Sequence, residues 1–411
     1  MQKGANTTED DEQPPNMGEE TLKEFKVKKV GINATSKQKQ VLKQWFGVTR
    51  FIWNTCLVIL KEDGSLANKK DLRERFLNSS SQFMKERPWL AEVPYDIRDE
   101  AMNDLLKAIV ALRALKKKNK QKFSIRDIGF RKRKDVSSSM AVLKKHWKTD
   151  KANSTSHCYY AKALLGSLTT KEPIEGGLKA DSRMIHSPKT GRYCIMATRD
   201  TERRDENQAP PSRVLSVDPG VRTFLTCYDS TGYVYQWGKD DMKHIQVLAE
   251  KIDVLQSRCT FVRHHTRVHL KKRMNRLRYR IRNLVDDVHR RCCRWMVENF
   301  HVILLPRFQP HQMASTDRPR VLRKKTVRGM FTWSHCRFRD RLLSKSREYP
   351  WCKVVMCDEA YTSKTCGKCG WLHESLGGSS VFKCGQCDYV CDRDVNGSRN
   401  VLLRYIRDYA C

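Results

Sequence analysis

Short apolar runs and long amphipathic stretches alternate through the second half of the chain. Helical spacing of apolar residues predicts a long helical region over 243–300, a helix containing Phe338 and Leu342, and a last helix over 395–409. Five runs of four or five residues predict buried strands at 214–217, 224–228, 233–237, 302–305 and 354–357. Three consecutive strands followed by helix, strand, helix, strand and helix is the element order of a ribonuclease H-like α/β domain.

The first half of the chain mixes strands and helices. Weak alternation over 25–32 predicts a strand, and Thr35-Ser36-Lys37-Gln38 fits a capping box that starts a helix. Gly47 is expected to end this helix, with a second one beginning near Val48. Residues 61–147 are mostly polar and helical in pattern, with their clearest amphipathic stretch over 97–115. Short strands are predicted at 158–161, 183–186 and 193–197, before a linker over 200–212.

These patterns predict a multidomain α+β protein. A disordered acidic tail over 1–20 precedes a small β-rich domain, which is formed by 21–60 together with 151–205. A helical insertion over 61–150 separates the two pieces of that domain. The ribonuclease H-like domain is also in two pieces, 206–365 and 392–411, and a cysteine-rich module over 366–391 lies between them.

Composition indicates the class of partner. The 411 residues include 80 Lys and Arg against 46 Asp and Glu, which gives a formal net charge of +34. Charge of this size, spread over the whole chain, favours nucleic acid as the partner over an anionic membrane. No apolar run approaches the roughly 20 residues that span a bilayer. Because 1–20 is polar and acidic, it does not resemble a secretory signal, and the sixteen Cys indicate metal ligands and buried thiols in a reducing intracellular compartment.

Two Cys-x-x-Cys pairs with fourteen residues between them form the strongest local motif: Cys366, Cys369, Cys384 and Cys387. This spacing is typical of a four-thiolate zinc ribbon. Four protein ligands fill the coordination of zinc and leave no position for a substrate, so one structural zinc ion is expected. Cys357 and Cys391 lie nearby but have no partner at this spacing.

Acidic residues at strand ends and a helix start suggest a second kind of metal site. Asp218 ends the first strand of the predicted α/β domain, where Asp-Pro-Gly also explains it as a turn former. Asp394 lies just before the last helix, where it or Asp392 can serve as the N-cap. Together with an acidic residue after the fifth strand, the two aspartates form a plausible triad for magnesium, which prefers oxygen ligands. Nucleases of this fold use two metal ions roughly 3.5–4 Å apart.

These residues resemble a known family, the transposon-encoded TnpB nucleases. The amino-terminal Arg50-Phe51-Ile52-Trp53-Asn54 resembles their first helices, and Val217-Asp218-Pro219-Gly220 resembles their first RuvC motif. The carboxyl-terminal resemblance is the most specific, through residues 362–370, the later cysteine pair, and Asp392-Arg393-Asp394-Val395-Asn396-Gly397-Ser398-Arg399-Asn400. The resemblance covers most of the chain from Thr21 onward and is weak over 61–147.

One departure from TnpB concerns the catalytic glutamate that normally follows the fourth strand. This chain has Leu304-Leu305-Pro306-Arg307-Phe308 there, without a carboxylate. The segment from Glu359 to Cys366, after the fifth strand, resembles Fanzor proteins, the eukaryotic relatives of TnpB that carry a relocated glutamate. Because the fourth and fifth strands are expected to be parallel neighbours, Glu359 can approach the same metals, and Asp358 competes with it for this role.

The resemblance implies an RNA-guided DNA endonuclease with a RuvC nuclease domain, a wedge-like β-rich domain and a helical recognition insertion. Asp218, Glu359 and Asp394 would bind two Mg²⁺ ions. A guide RNA of the omega-RNA type would pair with double-stranded target DNA beside a short protein-read motif, with one protein per RNA, in the nucleus. The alternatives are a catalytically inactive RNA-guided DNA-binding protein, and a zinc-ribbon DNA-binding transposase accessory protein with no guide.

Overall fold

The computed structural model describes residues 25–409, apart from 63–67, 134, 136, 150–155, 160–166, 175–176, 202, 309–323, 359–360, 375 and 378. The predicted acidic tail over 1–20 lies outside the described residues. The chain divides into two compact units, one comprising 1–186 with 193–201, the other 187–192 with 202–411. No helix among the described residues is long and apolar enough to cross a membrane.

A seven-stranded sheet and four helices form the first unit. The strands are β1 (Phe25–Asn33), β2 (Ser138–Val142), β3 (Trp147–Thr149), β4 (Ser156–Tyr159), β5 (Ser167–Thr170), β6 (Ser182–Ser187) and β7 (Arg192–Asp200). Their order in the sheet is β2-β6-β7-β1-β5-β4-β3. The helices are α1 (Ser36–Glu62), α2 (Lys69–Phe76), α3 (Gln82–Lys85) and α4 (Tyr95–Lys118).

Helix α1 confirms the predicted capping box and corrects the predicted break. The side chain of Gln38 accepts a hydrogen bond from the Thr35 amide at 2.9 Å, and the Thr35 hydroxyl accepts one from the Gln38 amide at 3.3 Å. The helix then runs through Gly47 without interruption. A glycine costs a helix only about 1 kcal/mol relative to alanine, and burial of the flanking Phe46 and Val48 outweighs that cost.

A second correction concerns the predicted helical insertion. Helix α4 ends at Lys118, and β2 and β3 both lie within the part of the chain expected to be helical. Strand β2 pairs with β6 along five residues. The buried Met140 and Val142 alternate with half-buried neighbours, a period of two that the surrounding lysines and arginines conceal in the sequence. The buried carboxylate of Asp104 on α4 receives two hydrogen bonds, at 2.8 and 2.7 Å, from Arg183 on β6.

A five-stranded sheet forms the centre of the second unit. Its strands are β8 (Val214–Pro219), β9 (Leu225–Asp229), β10 (Val234–Trp237), β11 (Val302–Pro306) and β12 (Lys353–Cys357). Their order is β10-β9-β8-β11-β12, with β8, β9 and β10 antiparallel and β8, β11 and β12 parallel. All five predicted strands are confirmed, as is the parallel pairing of the fourth with the fifth. This topology is consistent with the ribonuclease H-like prediction.

Helices cover both faces of this sheet. They are α5 (Lys239–Phe261), α6 (His264–Asn299), α7 (Lys324–Trp333), α8 (His335–Ser346) and α9 (Arg393–Tyr409). The long helical region predicted over 243–300 is an α5–α6 hairpin, whose distal part packs through Ile252, Leu255 and Met274. The main core lies between the sheet and α5, α6 and α8. Helix α9 covers the opposite face, where Val401 and Leu402 contact Leu304.

Candidate functional site

Three strand ends meet at one edge of the five-stranded sheet. Strand β8 is parallel to β11 with Ser216 opposite Leu304, and β11 is parallel to β12 with Pro306 opposite Cys357. Asp218, two residues beyond Ser216, therefore lies at the same edge as Pro306 and Cys357. Parallel strands bring their carboxyl ends together, and ligands of open α/β sheets bind at such an edge.

Asp394 lies in the first turn of α9, but it does not cap the helix. The carboxylate of Asp392 accepts hydrogen bonds from the amides of Asp394, at 2.9 Å, and Val395, at 3.2 Å. Asp392 is therefore the N-cap. The Asp394 carboxylate lies 3.5 Å from a guanidinium nitrogen of Arg393, and its side chain remains 31% exposed. Its position is explained neither by capping nor by burial.

Two glycines show how closely α9 approaches the end of β8. A Cβ added to Gly397 would lie 2.8 Å from Oδ2 of Asp218 and 3.3 Å from Oγ of Ser363. A Cβ added to Gly220 would lie 3.9 Å from Oδ2 of Asp394. The Asp218 carboxylate is thus packed against the first turns of α9, and Asp394 faces the turn that follows Asp218. The two carboxylates converge on one place, although 176 positions separate them (394 − 218).

Asp358 and Glu359 are the two candidates for a third carboxylate, and the structure describes only the first of them. Asp358 is exposed and accepts a hydrogen bond at 3.2 Å from Arg404 on α9. Glu359 lies outside the described residues. Among the described residues that follow β11, Arg307 and Phe308 supply no carboxylate.

The interior beside Asp218 is apolar. Burial raises the pKa of the Cys227 thiol well above its usual range, and the negative charge of Asp218 raises it further. Cys227 is therefore a neutral neighbour. Asp229, at the far end of β9, has a structural explanation. Burial opposes ionisation there, but bonds from Thr231 and the Tyr233 amide outweigh it and lower the pKa of Asp229.

The four predicted zinc ligands form a compact cluster. All four sulfur atoms lie within 4.8 Å of one another, with Cys366 and Cys387 3.8 Å apart and Cys369 and Cys384 3.6 Å apart. Zinc–sulfur bonds of about 2.3 Å in a tetrahedron place the sulfurs about 3.8 Å apart, so the residues fit zinc. The amide of Lys368 donates to the sulfur of Cys366 at 3.4 Å, and the Gln386 amide donates to that of Cys384 at 3.3 Å.

The module around the cluster is small. Strands β13 (Val381–Lys383) and β14 (Val390–Asp392) pair antiparallel, and Phe382 is fully buried against Cys366 and Cys384. A Cβ on Gly385 would lie 2.7 Å from the ring of Trp371, so the indole rests on this glycine. Cys391 and Cys357 are not part of the cluster.

Two buried asparagines on α9 join the module to the carboxylate site. The side chain of Asn396 donates to the carbonyl of Thr365 at 2.7 Å and accepts from the amide of Gly367 at 3.0 Å. The Asn400 amide donates to the carbonyls of Thr362 and Thr365 at 2.8 and 2.6 Å. Sequence reasoning quoted both residues in a motif but assigned them no role. Their spacing of four, which puts them on one helix face, was the available signal.

The sheet holds α9 by one further polar contact. The Ser216 hydroxyl, fully buried on β8, lies 2.7 Å from the carbonyl of Ser398 and 2.9 Å from that of Tyr228. Helix α9 is therefore fixed on one side to β8 and on the other to the first cysteine pair. Asp394 owes its position to both attachments.

Three family models match separate parts of the chain. Residues 195–305 match a model described as a probable transposase, OrfB of IS605, and residues 25–63 match its helix-turn-helix domain. Residues 335–401 match the Cas12f1-like TNB domain. The last of these matches spans the four cysteines and Asp394.

Viral proteins are among the similar sequences. Putative transposase A625R of Paramecium bursaria Chlorella virus 1 is 26% identical over 93% of this chain and 87% of its own length. TnpB-like protein L79 of Acanthamoeba polyphaga mimivirus is 27% identical over 52% of this chain. The aligned region spans 41% of the length of that relative. A Cas12f1–sgRNA–target DNA complex aligns with 89% of this chain and 83% of its own, at 14% identity and a TM-score of 0.47. The chain is thus similar to proteins of the TnpB/IS605 transposase group.

Proposed function

We propose that this protein is an RNA-guided, magnesium-dependent DNA endonuclease, a Fanzor-like relative of TnpB. The TnpB/IS605 matches support a nuclease of this group. An acidic pair in the sequence after β12, together with a β11 that ends at Pro306 and is followed by Arg307-Phe308, supports the Fanzor-like assignment.

One observation carries the nuclease proposal, the convergence of Asp218 and Asp394. Capping does not explain Asp394, because Asp392 caps α9, and Asp218 is packed against Gly397 in the first turns of the same helix. Partly exposed carboxylates at the carboxyl edge of a parallel sheet form an oxygen-rich donor set, which suits magnesium. Magnesium bound there would activate water and stabilise the leaving oxygen of a phosphodiester.

Glu359 is the proposed third ligand. It directly follows Asp358, whose carboxylate is engaged by Arg404 on the outer part of α9. A carboxylate already held in an ion pair is the weaker candidate for a metal ligand, which favours Glu359 over Asp358. The zinc cluster takes no part in the chemistry under this proposal, because four thiolates leave no open position.

The remaining partners follow from the same proposal. A charge of +34 suits a protein that holds a guide RNA and the duplex it forms with target DNA. The first unit would serve as the wedge-like and recognition parts, and the second as the RuvC nuclease. A nuclear location remains part of the proposal.

The central test is cleavage of a DNA target matched to the RNA that co-purifies with the protein. Asp218→Ala is expected to abolish cleavage in magnesium while RNA and target binding persist. Asp240→Ala is a matched control, because Asp240 is an exposed aspartate on α5 that pairs with Lys243 and does not lie near Asp394 in the sequence or in α9. Wild-type cutting rates in Asp218→Ala would contradict the proposal.

The third ligand has its own test. Glu359→Gln is expected to lower the cleavage rate as severely as Asp218→Ala, whereas Asp358→Asn should reduce it only slightly. The reverse result would assign the role to Asp358.

A catalytically inactive RNA-guided DNA-binding protein is the second candidate. The observation in its favour is Pro306, which ends β11 close to the position where TnpB nucleases normally carry their catalytic glutamate. This candidate predicts co-purifying RNA and guided target binding, without cleavage in magnesium or manganese. Absence of any specific co-purifying RNA would instead favour an unguided zinc-ribbon DNA-binding protein.

A further inference from the structure

A groove on the second unit lies between α5, α6 and the α7–α8 pair, away from the carboxylates. It consists of two adjoining cavities of about 490 and 300 Å³. Both are lined by Ile245, Ala249, Asp253, Arg328 and Thr332, so the two cavities adjoin along α5 and α7. None of these residues is used by the proposed nuclease chemistry.

Basic side chains line the groove on both walls. Six of its lining residues are cationic, Arg278, Arg282, Lys324, Lys325, Arg328 and Arg337, against two acidic ones, Glu250 and Asp253. The acidic residues pair with Lys325, at 3.9 Å, and with Arg328, at 2.6 Å.

Most of the remaining charge has no carboxylate partner. Arg337 pairs with Asp286 at 3.0 Å, and its buried Nε has no hydrogen-bond partner among the residues the structure describes. Within the same described part of the chain, Arg278, Arg282 and Lys324 form no ion pair. Helix α6 offers little acid to offset them, because residues 262–285 contain nine Arg and Lys and no Asp or Glu, and Asp286, the next residue, already faces Arg337 and Arg341 as well as Arg282.

The shape of the groove favours an extended polyanion over a single small anion. The cations are distributed along both cavities, which suits charges repeated along a chain. Ile245, Ile252 and Ile281 provide an apolar floor between them. Sites for single-stranded nucleic acid use cations that follow the backbone together with side chains on which the bases rest. The isoleucines supply apolar contact of this kind, without the aromatic rings that add stacking. A recess between helices suits a single strand better than a duplex, whose phosphates lie on a convex surface.

We infer that this groove binds the phosphodiester backbone of a single-stranded nucleic-acid segment, with Arg278 and Arg282 contacting phosphates directly. The inference rests on the proposed function only for the source of that strand, which is either RNA of the guide or a DNA strand displaced from the target. The inference that the groove binds a single strand is argued from its cations and its shape.

The test measures binding without cleavage, in an Asp218→Ala background freed of co-purifying RNA by high salt and nuclease. Fluorescence anisotropy is followed with labelled 12-nucleotide oligouridine, oligothymidine and a 12-base-pair duplex over a range of NaCl concentrations. Loss of two phosphate contacts should lower the salt slope by about 1.4 and weaken single-strand binding by about tenfold or more in Arg278→Glu/Arg282→Glu. The tighter of the two single-strand arms identifies the source.

A matched control changes the same charge on the same helix. Arg276 and Arg280 are exposed, have the same spacing of four, and do not line the groove. Arg276→Glu/Arg280→Glu should weaken single-strand binding less than about threefold if the contacts are specific to the groove. Equal losses in the two double variants, or a loss confined to the duplex, would overturn the inference.

A neutral variant guards against misfolding. Arg278→Gln/Arg282→Gln removes the contacts without placing new acids near Asp286, and should weaken single-strand binding with an unchanged melting temperature. If this variant binds as wild type, the groove assignment fails. Guided cleavage by an otherwise wild-type protein is measured separately, so that failure of the groove leaves the nuclease proposal standing.

Discussion

The zinc cluster and the carboxylate site both border the first two turns of helix α9, yet they are assembled in different ways. The four cysteines fall within 22 positions (387 − 366 + 1), and two short turns bring them together. Asp218 and Asp394 meet only because β8, its parallel neighbours and α9 pack correctly. The zinc cluster is a local site, which depends on the spacing of its cysteines. The carboxylate site is a distant site, because its residues are far apart in the sequence, and it depends on the whole fold of the second unit.

The largest expected effect comes from removing the local site. Cys366→Ser/Cys384→Ser should reduce bound zinc from one ion per chain to less than about a tenth, since structural zinc contributes about 10 kcal/mol or more to such modules. Cleavage should be lost as well, because the carbonyls and amide that hold Asn396 and Asn400 belong to the first cysteine pair and the loop before it. Elemental analysis and guided cleavage measure the two effects.

Cys391→Ser provides the control for this double variant. Cys391 lies on β14, half-buried and outside the cluster, so zinc and cleavage should both remain. Full cleavage by a zinc-free double variant would show that the carboxylate site does not depend on the ribbon.

The next effect breaks the distant site and spares the local one. Gly397→Ala places a Cβ 2.8 Å from Oδ2 of Asp218, so either the carboxylate or α9 must move. Displacement of a catalytic group by about 1 Å can cost about 10²-fold in rate, and a loss of this order is expected with zinc content unchanged. Single-turnover cleavage and elemental analysis are the measurements.

Gly47→Ala is the matched glycine control. A Cβ there would meet nothing within 4 Å, and Gly47 lies inside α1. This substitution should leave cleavage unchanged and raise stability by up to about 1 kcal/mol. Equal activity in the two alanine variants would mean that the close approach of α9 to Asp218 is not needed.

The same contrast explains what sequence reasoning predicted. The strands of the second unit were identified because each is a short, mostly apolar run between turn or helix signals, and the zinc ligands because the spacing of the cysteines determines their geometry. The strands over 138–149 were missed because their alternation is short and surrounded by basic residues. Gly47 was given too much weight, since local propensity is weaker than the burial of one helix face.

The carboxylate site shows where prediction from sequence ends. Topology predicted that Asp218 and Asp394 would share an edge, but not which of two adjacent aspartates caps α9. That required the bonds from Asp392 to the next two amides. The roles of Asn396 and Asn400 could not be predicted either, because their partners are backbone groups of a loop, which carry no side-chain signature.

A smaller effect tests the link between the two sites. Asn396→Ala removes the partner of the Gly367 amide and one of the two donors to the Thr365 carbonyl, which should cost about 1–3 kcal/mol of stability. At temperatures where the variant is still folded, the cleavage rate should nevertheless be reduced, because α9 is no longer held to the loop that contains Thr365 and Gly367. Asn103→Ala is the control, since that amide contacts only Glu100 on its own helix. Equal losses of melting temperature and of cleavage rate in Asn396→Ala and Asn103→Ala would contradict a specific link between the zinc cluster and the carboxylate site.

The smallest effect concerns the scaffold beneath Asp218 rather than either set of ligands. Burial lowers the pKa of His335 to about 4 and, with the nearby Arg341, that of His289 to about 3. Both rings stack on Phe224, close behind the turn that follows Asp218. Both histidines are therefore neutral in the folded protein at neutral pH.

The sign of the pH dependence follows from these two pKa values. The unfolded chain takes up a proton on each histidine as the pH falls below about 6.5, whereas the folded chain does so only near pH 4 and 3. As the pH is lowered from about 6.5 toward 4, the free energy of unfolding should therefore decrease, by about 1.4 kcal/mol per pH unit for each histidine. Zinc release at acid pH acts in the same direction, so the wild-type slope alone does not separate the two sites.

A difference between variants does separate them. His335→Asn keeps the four cysteines and removes one titrating group, so the zinc contribution cancels when its denaturation curves are compared with those of the wild type. Between pH 4.5 and 6 the stability of His335→Asn should fall less steeply, by about 1.4 kcal/mol per pH unit. Parallel curves would mean that acid acts on this unit through the zinc cluster rather than through His335.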